Sequence, residues 1–375
     1  MRKKVFVLIA SYPDSILSFR GSLIEALKLG GYEVHVIAPK MQRFILDALE
    51  KRSIVVHQVR LERTGLNPLK DLNSLLEITK VLSKVKPDKV LSYTIKPVIY
   101  GSIAAKIARV QACYSLITGL GYAFTGEASG KRRAVQKLLH FLYKLALSFN
   151  DKVFYQNPDD RDLFSSLGLN SRIGDSIVVN GSGVDTSLFD VTPLPDVCDF
   201  LLIARLLGDK GVREYASAAK KLKKTHPESV CRLVGWIDEN PDAIEQQELD
   251  DWISNGYIEF LGKKSEVQTA ISNSSVYVLP SYREGLPRTV LEAMAMGRPI
   301  ITTDAPGCRE TVRNGVNGFL VPVKDSVSIY DAMVFFIESP DRIVSMGKAS
   351  REMVEQKFDV EIVNKQMLLG MEIEN

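Results

Sequence analysis

The first half of the chain alternates short apolar runs with segments of helical periodicity. Residues 5–10 (VFVLIA) form a continuous apolar run that ends in a polar loop, and apolar side chains then recur at helical spacing over residues 23–29. The same pattern predicts further strands at 34–38, 54–59 and 89–93, with helices between them. Fully apolar strands need cover on both faces, which helices alternating with parallel strands supply. The first half is therefore predicted to be a Rossmann-like α/β domain with a doubly wound parallel sheet.

The second half repeats this organisation after a break. The alternation stops over residues 184–199, where two prolines interrupt it, and it restarts with an apolar strand at 200–204. Further strands are predicted at 231–234, 257–261 and 276–279. The chain is therefore expected to hold two Rossmann-like domains, the first over residues 1–190 and the second over residues 196–358.

Composition narrows the possible functions. The 375 residues are 45% hydrophobic and 25% charged, with a mean hydropathy of 0.00, which indicates a globular protein large enough for two domains. A net charge of +3 gives no reason to expect nucleic acid as a partner. Four widely spaced cysteines without a CxxC pair argue against structural zinc and indicate a reduced, cytoplasmic compartment. Without ~18 consecutive apolar residues no segment is expected to span a bilayer, which leaves peripheral attachment open.

The segment 280–297 (PSYREGLPRTVLEAMAMG) carries the most chemical information. It follows an apolar strand, and ligands of open parallel sheets bind outside the carboxyl ends of the strands. Pro287 can start a helix whose free N–H groups favour an anion. Glu284 and Glu292 lie eight residues apart, so two carboxylates can accept hydrogen bonds from different hydroxyls of one ligand. Gly285 permits close approach of the backbone. Neither half has a GxGxxG motif after its first strand, which disfavours dehydrogenase chemistry.

Residues 284–292, followed by AMAMGRPIITTDAPGCRE and NGVNGFLV, resemble the Glu-x7-Glu region of glycosyltransferase family 4. The resemblance implies a retaining enzyme of the GT-B fold, in which two Rossmann-like domains face an interdomain cleft. It also implies that Glu284 contacts the transferred sugar, that the backbone at Leu286 and Pro287 holds donor groups, and that Glu292 binds the ribose hydroxyls of the nucleotide. The last segment, 359–375, is then expected to return to the first domain as a helix.

Two further segments match the same family. By this resemblance Arg205 and Lys210, in residues 203–211 (IARLLGDKG), would bind the donor diphosphate and stabilise the charge that grows on the leaving group. Gly183, in residues 180–185 (NGSGVD), approaches the diphosphate or simply forms a turn between the domains; both interpretations stay open. No Asp-x-Asp cluster suits a metal-bridged diphosphate, so the enzyme is expected to need neither a metal ion nor a cofactor.

Acceptor determinants are expected in the first domain, in the loops at 10–21 and 118–127. Family members commonly carry Gly-Gly in the first loop and often His in the second, whereas this chain has neither. The candidates on the acceptor side are Tyr12, Arg20, Thr118, Gly119, Gly121 and Tyr122. A turn that serves only packing is the alternative for the two glycines.

Residues 128–150 contain no acidic side chain. Val135, Leu138, Leu142, Leu145 and Phe149 are predicted to share one helical face, opposite Arg133, Lys137, His140 and Lys144. Such a helix suits an anionic membrane surface, with Arg133, Lys137 and Lys144 as the contacts; the alternative is a surface helix with a solvated basic face. The missing acids favour peripheral attachment to the inner face of the plasma membrane.

Residues 234–241 (VGWIDENP) and the segment TGLGYAF resemble counterparts in enzymes that add N-acetylgalactosamine to polyprenyl-diphosphate-linked sugars. The resemblance implies a UDP-sugar donor, a lipid-linked acceptor and a role in bacterial surface-glycan or glycoprotein-glycan assembly. Two alternatives remain: a nucleotide-sugar 2-epimerase of the same architecture, and a non-catalytic sugar-binding protein.

Overall fold

The chain folds into two compact α/β units. The computed structural model describes residues 3–62, 65, 67–120, 130–170, 176–238 and 240–374, without the side chains of residues 131 and 132. Unit 1 comprises residues 1–182 and 363–375, and unit 2 comprises residues 183–362.

The described part of unit 1 has a parallel sheet whose strands all end at the same edge. The strands are β1 (Lys4–Ile9), β2 (Tyr32–Ala38), β3 (Val55–Gln58), β4 (Lys89–Tyr93), β5 (Ala112–Ile117), β6 (Lys152–Tyr155) and β7 (Ser176–Val178). The helices are α1 (Asp14–Leu29), α2 (Arg43–Lys51), α3 (Pro68–Val85), α4 (Ser102–Ile107), α5 (Gly130–Leu147) and α6 (Pro158–Ser166). A π-helical segment, Pro97–Gly101, leads into α4. The strand order is β3-β2-β1-β4-β5-β6-β7.

Unit 2 repeats this architecture in its described residues. Its strands are β8 (Phe200–Ile203), β9 (Cys231–Val234), β10 (Glu259–Phe260), β11 (Val276–Leu279), β12 (Ile300–Thr303) and β13 (Gly318–Val321). Its helices are α7 (Val212–Thr225), α8 (Gln246–Ser254), α9 (Gln268–Ser272), α10 (Arg288–Ala295), α11 (Ser326–Glu338) and α12 (Pro340–Met353). The parallel strands follow the order β10-β9-β8-β11-β12-β13, and the final helix, α13 (Val360–Gly370), runs from unit 2 into unit 1. The predicted pair of doubly wound parallel domains is confirmed.

In both sheets the strand order reverses direction once. The reversal lies between β1 and β4 in unit 1 and between β8 and β11 in unit 2. At such a point the two connecting loops leave the sheet in opposite directions and open a crevice at the carboxyl ends of the strands. Each unit therefore has one position where its fold favours ligand binding.

Right-handed crossovers place α3, α4 and α5 on one face of the unit 1 sheet and α1 and α2 on the other. The packing agrees, because Leu27 of α1 shares a buried cluster with Leu8, whereas Ile78 of α3 and Ala104 of α4 share one with Val7. The second cluster lies on the face that α3, α4 and α5 cover.

The boundary between the units lies earlier than the prolines suggest. Residues 183–190, assigned from sequence to the first domain, belong to unit 2. Val184 pairs with the chain at 358–360: its N–H donates to the Phe358 carbonyl at 3.0 Å, and its carbonyl accepts from Val360 N–H at 3.0 Å. A bridge between residues this far apart in sequence leaves no local pattern. The return to unit 1 begins at Val363, inside α13.

Arg298 fastens the segment that precedes β8 to the rest of unit 2. Its side chain is fully buried, with 1% of the residue exposed, and burial lowers its pKa to about 10. The guanidinium donates over 2.5 to 3.0 Å to the backbone carbonyls of Thr192, Pro193, Ser272, Ser274 and Met296. It is therefore held as a cation by carbonyl dipoles.

Replacing Arg298 by Met keeps the side-chain length but leaves buried carbonyls without a donor. We expect Arg298→Met to lower the free energy of unfolding of unit 2 by about 3 kcal/mol. Both tryptophans, Trp236 and Trp252, lie in unit 2, so urea unfolding followed by tryptophan fluorescence reports on this unit. The matched control, Lys348→Met, changes a lysine with an 80% exposed side chain and should shift stability by less than about 0.5 kcal/mol. Equal small effects of both substitutions would contradict the role of Arg298.

Candidate functional site

The loops after β8 and β11 meet where the strand order of unit 2 reverses. Lys210 Nζ lies 2.5 Å from Glu284 Oε1, and the two side chains are only 15% and 18% exposed. The backbones are joined as well: Tyr282 N–H donates to the Asp209 carbonyl at 2.8 Å, and Ser281 Oγ donates to the same oxygen at 3.2 Å. The structure thus brings together two predicted site residues that lie 74 positions apart.

Glycines set the path of both loops. Gly211, at φ +70°, follows Lys210, and a Cβ there would overlap the Pro280 carbonyl. Gly307, at φ +79°, faces Glu284 and Gly285, and a Cβ there would overlap the Glu284 carbonyl. Side chains are excluded at both glycines because backbone crosses backbone there.

Arg205 is held by a loop that sequence reasoning did not assign to the site. Its Nη1 donates to Asp238 Oδ2 at 3.0 Å. In the same loop Asp242 supports the turn before Lys210, because its carbonyl accepts from Gly208 N–H and its Oδ2 from Asp209 N–H, both at 2.8 Å. In the sequence, residues 234–241 (VGWIDENP) stand out only by their resemblance to family members. A polar loop has no periodic pattern that would predict these contacts.

Glu292 lies inside α10 rather than on its exposed face. The residue is 7% exposed, and its Oε1 accepts from Arg288 Nε at 2.9 Å. Burial raises the pKa of Glu292, and the neighbouring Arg288 partly offsets the rise. α10 begins at Arg288, with Pro287 directly before it and Leu286 half-buried in the preceding loop. Burial of a carboxylate lowers the stability of the fold. Groups that cost stability in this way are typical of functional sites.

Asp209 adds a further perturbed acid to this crevice. Burial raises its pKa, Lys210 opposes the rise, and the carboxylates of Glu284 and Asp242 reinforce it. Lys210, Arg205 and Arg288 each contact a carboxylate, so the site holds cations whose partners a phosphate or a sugar hydroxyl can replace.

Gly183 has a structural explanation. It adopts φ +69°, and a Cβ would come within 2.6 Å of the Cα of Val360. The glycine is therefore required where residues 183–184 cross the chain at 358–360, in agreement with the turn interpretation that the sequence left open.

The acceptor-side candidates lie around the carboxyl end of the unit 1 sheet. Tyr12 is half-buried directly before α1, whereas Arg20 within α1 is 3% exposed, with its guanidinium 5.1 Å from the Tyr93 ring centre. Thr118 follows β5 and is half-buried, and Gly119 has φ +129°. Gly121 and Tyr122 lie outside the described residues.

Sequence reasoning missed a pair of hydroxyl groups at the strand-order reversal of unit 1. Ser11 follows β1 and Thr94 follows β4, and their hydroxyl oxygens lie 2.7 Å apart. Thr94 has φ +69°, a conformation that a β-branched residue rarely adopts. Such strain concentrates at binding sites.

The faces of α5 differ from those predicted. The helix buries Tyr143, Ala146 and Leu147. Leu138 and Leu145, which belong to the predicted apolar face, are 54% and 39% exposed. The exposed basic residues are Arg133, Lys137 and Lys144, and Phe141 is also exposed, at 62%. The buried residues Tyr143, Ala146 and Leu147 follow i, i+3, i+4 spacing, so they form one face of the helix, and Leu138 and Leu145 lie outside it.

The described residues contain neither a membrane-spanning helix nor a metal-binding cluster. No helix in them is long and apolar enough to cross a bilayer. Within the same ranges, no group of three or more His, Cys, Asp or Glu side chains is placed to bind a metal ion.

Two family models match the chain, one in each unit. Residues 198–339 match the family described as glycosyl transferases group 1, and residues 7–157 match the family described as glycosyl transferase 4-like.

Curated relatives align over most of the chain. One is N,N'-diacetylbacillosaminyl-diphospho-undecaprenol alpha-1,3-N-acetylgalactosaminyltransferase of Campylobacter jejuni, 28% identical over 371 residues that cover 94% of each protein. Another is UDP-Gal:alpha-D-GlcNAc-diphosphoundecaprenol alpha-1,3-galactosyltransferase of Escherichia coli, 26% identical over 79% of this chain and 78% of the relative.

Solved structures share the whole fold. HepE of Anabaena in complex with UDP superposes with a TM-score of 0.78 at 18% identity, over 99% of this chain and 100% of HepE. Sucrose-phosphate synthase of Thermosynechococcus elongatus gives a TM-score of 0.79 at 19% identity, over 97% of both chains. At these identities the likeness establishes the fold, which is GT-B.

The raised pKa of Glu292 predicts a stability gain when its charge is removed. A carboxyl group whose pKa is higher in the folded state favours folding below its unfolded pKa of about 4.3, and this contribution is lost as the pH rises through the folded value. We therefore expect Glu292→Gln to stabilise unit 2 at pH 7.5 by about 1 kcal/mol, with a smaller difference at pH 4.5. Urea unfolding followed by tryptophan fluorescence at both pH values measures this. Glu352→Gln, at a 56% exposed side chain, is the control and should change little. Destabilisation by Glu292→Gln at pH 7.5 would assign Glu292 a structural role.

Proposed function

The chain is a glycosyltransferase, with a group 1 domain in unit 2 and a 4-like domain in unit 1, and we propose that it transfers N-acetylgalactosamine from UDP-N-acetylgalactosamine to a polyprenyl-diphosphate-linked saccharide. The printed activities of the Campylobacter and Escherichia relatives support this, since both transfer a sugar to a diphospho-undecaprenol-linked acceptor. The product would enter bacterial surface-glycan, O-antigen or glycoprotein-glycan assembly. The observation that carries the proposal is the contact between Lys210 and Glu284 at the strand-order reversal of unit 2.

Donor binding exchanges the partners of the buried cations. Lys210 leaves Glu284 for an oxygen of the diphosphate, and Arg205, steadied by Asp238, contacts the same group. Glu284 then accepts a hydrogen bond from the transferred sugar. Because charge on the diphosphate grows as the glycosidic bond breaks, these two cations stabilise the transition state more than the bound donor.

The nucleotide is held by the start of α10. The backbone at Gly285, Leu286 and Pro287 lies against the anionic ligand, with the donor N–H groups coming from residues other than the proline, and Glu292 accepts hydrogen bonds from the ribose hydroxyls. In this proposal the start of α10 binds the nucleotide, and the loops after β8 and β11 bind the phosphates.

Transfer proceeds with retention of the anomeric configuration. The bond between the anomeric carbon and the diphosphate oxygen breaks, and the acceptor hydroxyl oxygen bonds to that carbon from the same face. The acceptor proton passes to the leaving phosphate oxygen, so no side-chain nucleophile is required. The acceptor is bound by residues of unit 1: Tyr12, Arg20, Thr118 and Gly119 around the carboxyl edge of its sheet, together with Gly121 and Tyr122, which are assigned from the sequence.

The lipid-linked acceptor places the enzyme at the inner face of the plasma membrane. Helix α5 supplies the contact, because Arg133, Lys137 and Lys144 are exposed on a helix that has no acidic residue. Each basic group near an anionic surface contributes about 1 kcal/mol.

Removing the lysine that contacts the diphosphate should abolish transfer. We expect Lys210→Ala to lower the rate about 100- to 1,000-fold, as with other preorganised charge contacts. The assay measures radiolabelled sugar transfer to synthetic polyprenyl-diphosphate sugars from UDP-GalNAc, UDP-GlcNAc, UDP-Gal, UDP-Glc and GDP-mannose. Lys348→Ala, at an exposed lysine of the same unit, is the matched control and should keep full activity.

The outcomes separate the competing functions. Transfer from one donor, lost in Lys210→Ala and Glu284→Ala proteins that remain folded, establishes the reaction and identifies the donor. Nucleotide binding with release or isomerisation of the sugar, but no transfer, would point to a 2-epimerase. Sugar binding without nucleotide affinity would point to a binding protein.

In this proposal, Arg205 and Lys210 supply the positive charge that a metal ion provides in other transferases. We therefore expect transfer to continue at an unchanged rate in 5 mM EDTA, compared with the same assay containing 5 mM Mg²⁺. Loss of activity in EDTA that Mg²⁺ restores would mean that the two side chains do not suffice.

A further inference from the structure

Unit 1 exposes two apolar stripes on helices that share one face of its sheet. The α3 stripe consists of Leu69, Leu72 and Leu76, which are 74%, 51% and 58% exposed. The α5 stripe consists of Leu138, Phe141 and Leu145. Both stripes follow i, i+3, i+7 spacing, so each forms a line along its helix. Isolated exposed leucines are ordinary, whereas two ordered stripes on one helical layer indicate a binding surface.

We propose that α3 and α5 together form one membrane-docking face, with the α3 stripe as a second insertion element beside α5. The proposal rests on the peripheral membrane location put forward above and adds α3 to it. Both helices contact the π-helical segment Pro97–Gly101 and α4, and both belong to the layer that covers the same sheet face. Helix α4 lies between α3 and α5 in this layer, so the two stripes flank α4 and can meet one flat surface on either side of it.

The charges on this face suit an anionic surface. The acids of α3 already have partners: Asp71 Oδ1 lies 2.7 Å from Lys96 Nζ, and Glu77 Oε1 lies 2.7 Å from Arg60 Nε. The Asp71–Lys96 pair is buried, with 10% and 8% of the side chains exposed. Helix α5 contains no acid at all.

Exposed lysines border both stripes. Lys80 and Lys84 continue the ridge of Leu72 and Leu76 along α3, and Lys137 and Lys144 flank the α5 stripe. Long lysine side chains can lie along an apolar surface and place their charge at the headgroups. An apolar line bordered by lysines is the arrangement of an interfacial helix.

A second copy of the chain fits this surface less well. An isologous contact would bring the lysine-bordered faces of two copies together, and α5 has no acid to neutralise Lys137 and Lys144. An anionic bilayer neutralises these charges and accepts the apolar side chains. Both helices also begin at the carboxyl edge of the sheet, where the acceptor loops lie, so docking brings that edge to the lipid headgroups.

Vesicle co-sedimentation of the full chain tests the two-helix face. The vesicles contain phosphatidylcholine alone or with 30% phosphatidylglycerol. We expect binding to the anionic vesicles, with Leu72→Ser/Leu76→Ser and Leu138→Ser/Phe141→Ser each lowering the bound fraction at least fivefold. The matched control is Val327→Ser/Val344→Ser, which changes exposed valines of unit 2, 55% and 63% exposed, and should bind as the parent does. Thermal unfolding checks that the variants remain folded.

The results separate this inference from the enzymatic proposal. Loss of binding in the α5 variant alone, with the α3 variant unchanged, would overturn the two-helix face and leave α5 as the anchor. Equal binding of all variants would overturn it as well, as would a concentration-dependent dimer that Leu72→Ser/Leu76→Ser dissociates. Transfer to a short, water-soluble acceptor should be unchanged in the α3 variant; if the parent protein transfers no sugar to any acceptor, the proposed activity fails independently of membrane binding.

Discussion

The ion pair between Lys210 and Glu284 joins the two loops that leave the central strands of unit 2. Its position follows from the strand order, because β8 and β11 are neighbours in the sheet although 72 residues lie between the end of β8 and the start of β11. On one side of this pair, Arg205 follows β8 and donates to Asp238, and Asp242 accepts from the backbone N–H of Asp209. On the other side, the loop after β11 leads into α10, which contains Glu292. Two buried opposite charges are stable together and costly apart, so Lys210 and Glu284 can separate only if a bound ligand offers each of them a new partner.

The same strand-order reversal gives unit 1 a different chemistry. Hydroxyl groups of Ser11 and Thr94 face each other at its reversal, and a buried Arg20 packs on Tyr93 nearby. Under the proposed function, the hydroxyl groups of unit 1 would recognise sugar hydroxyls and the cations of unit 2 would recognise phosphate. Unit 1 would then bind the acceptor and unit 2 the donor.

Local patterns predicted the strands well and the long-range contacts poorly. The strands at 89–93, 231–234 and 276–279 agree with the structure because their apolar runs are bounded by prolines and polar residues. The bridge between Val184 and the chain at 358–360, the contact between Arg205 and Asp238 and the pair of Ser11 and Thr94 depend on segments distant in sequence, which no periodicity encodes. An apolar face was predicted for α5 but not the residues that the helix buries: Tyr143, Ala146 and Leu147 lie outside the predicted set, whereas Leu138 and Leu145 of that set are exposed. Glu284, Glu292, Arg205 and Lys210 were assigned through a family motif, and no local physical feature would have distinguished them from surface charges.

A crystal structure of the full chain with UDP-N-acetylgalactosamine bound tests the central claim most directly. The account predicts that Lys210 Nζ contacts a diphosphate oxygen and that Glu284 turns to a hydroxyl of the sugar, while Arg205 keeps its contact with Asp238 and reaches the same diphosphate. A nucleotide bound away from the reversal of β8 and β11, or a Lys210 that stays on Glu284 with the donor in place, would contradict it.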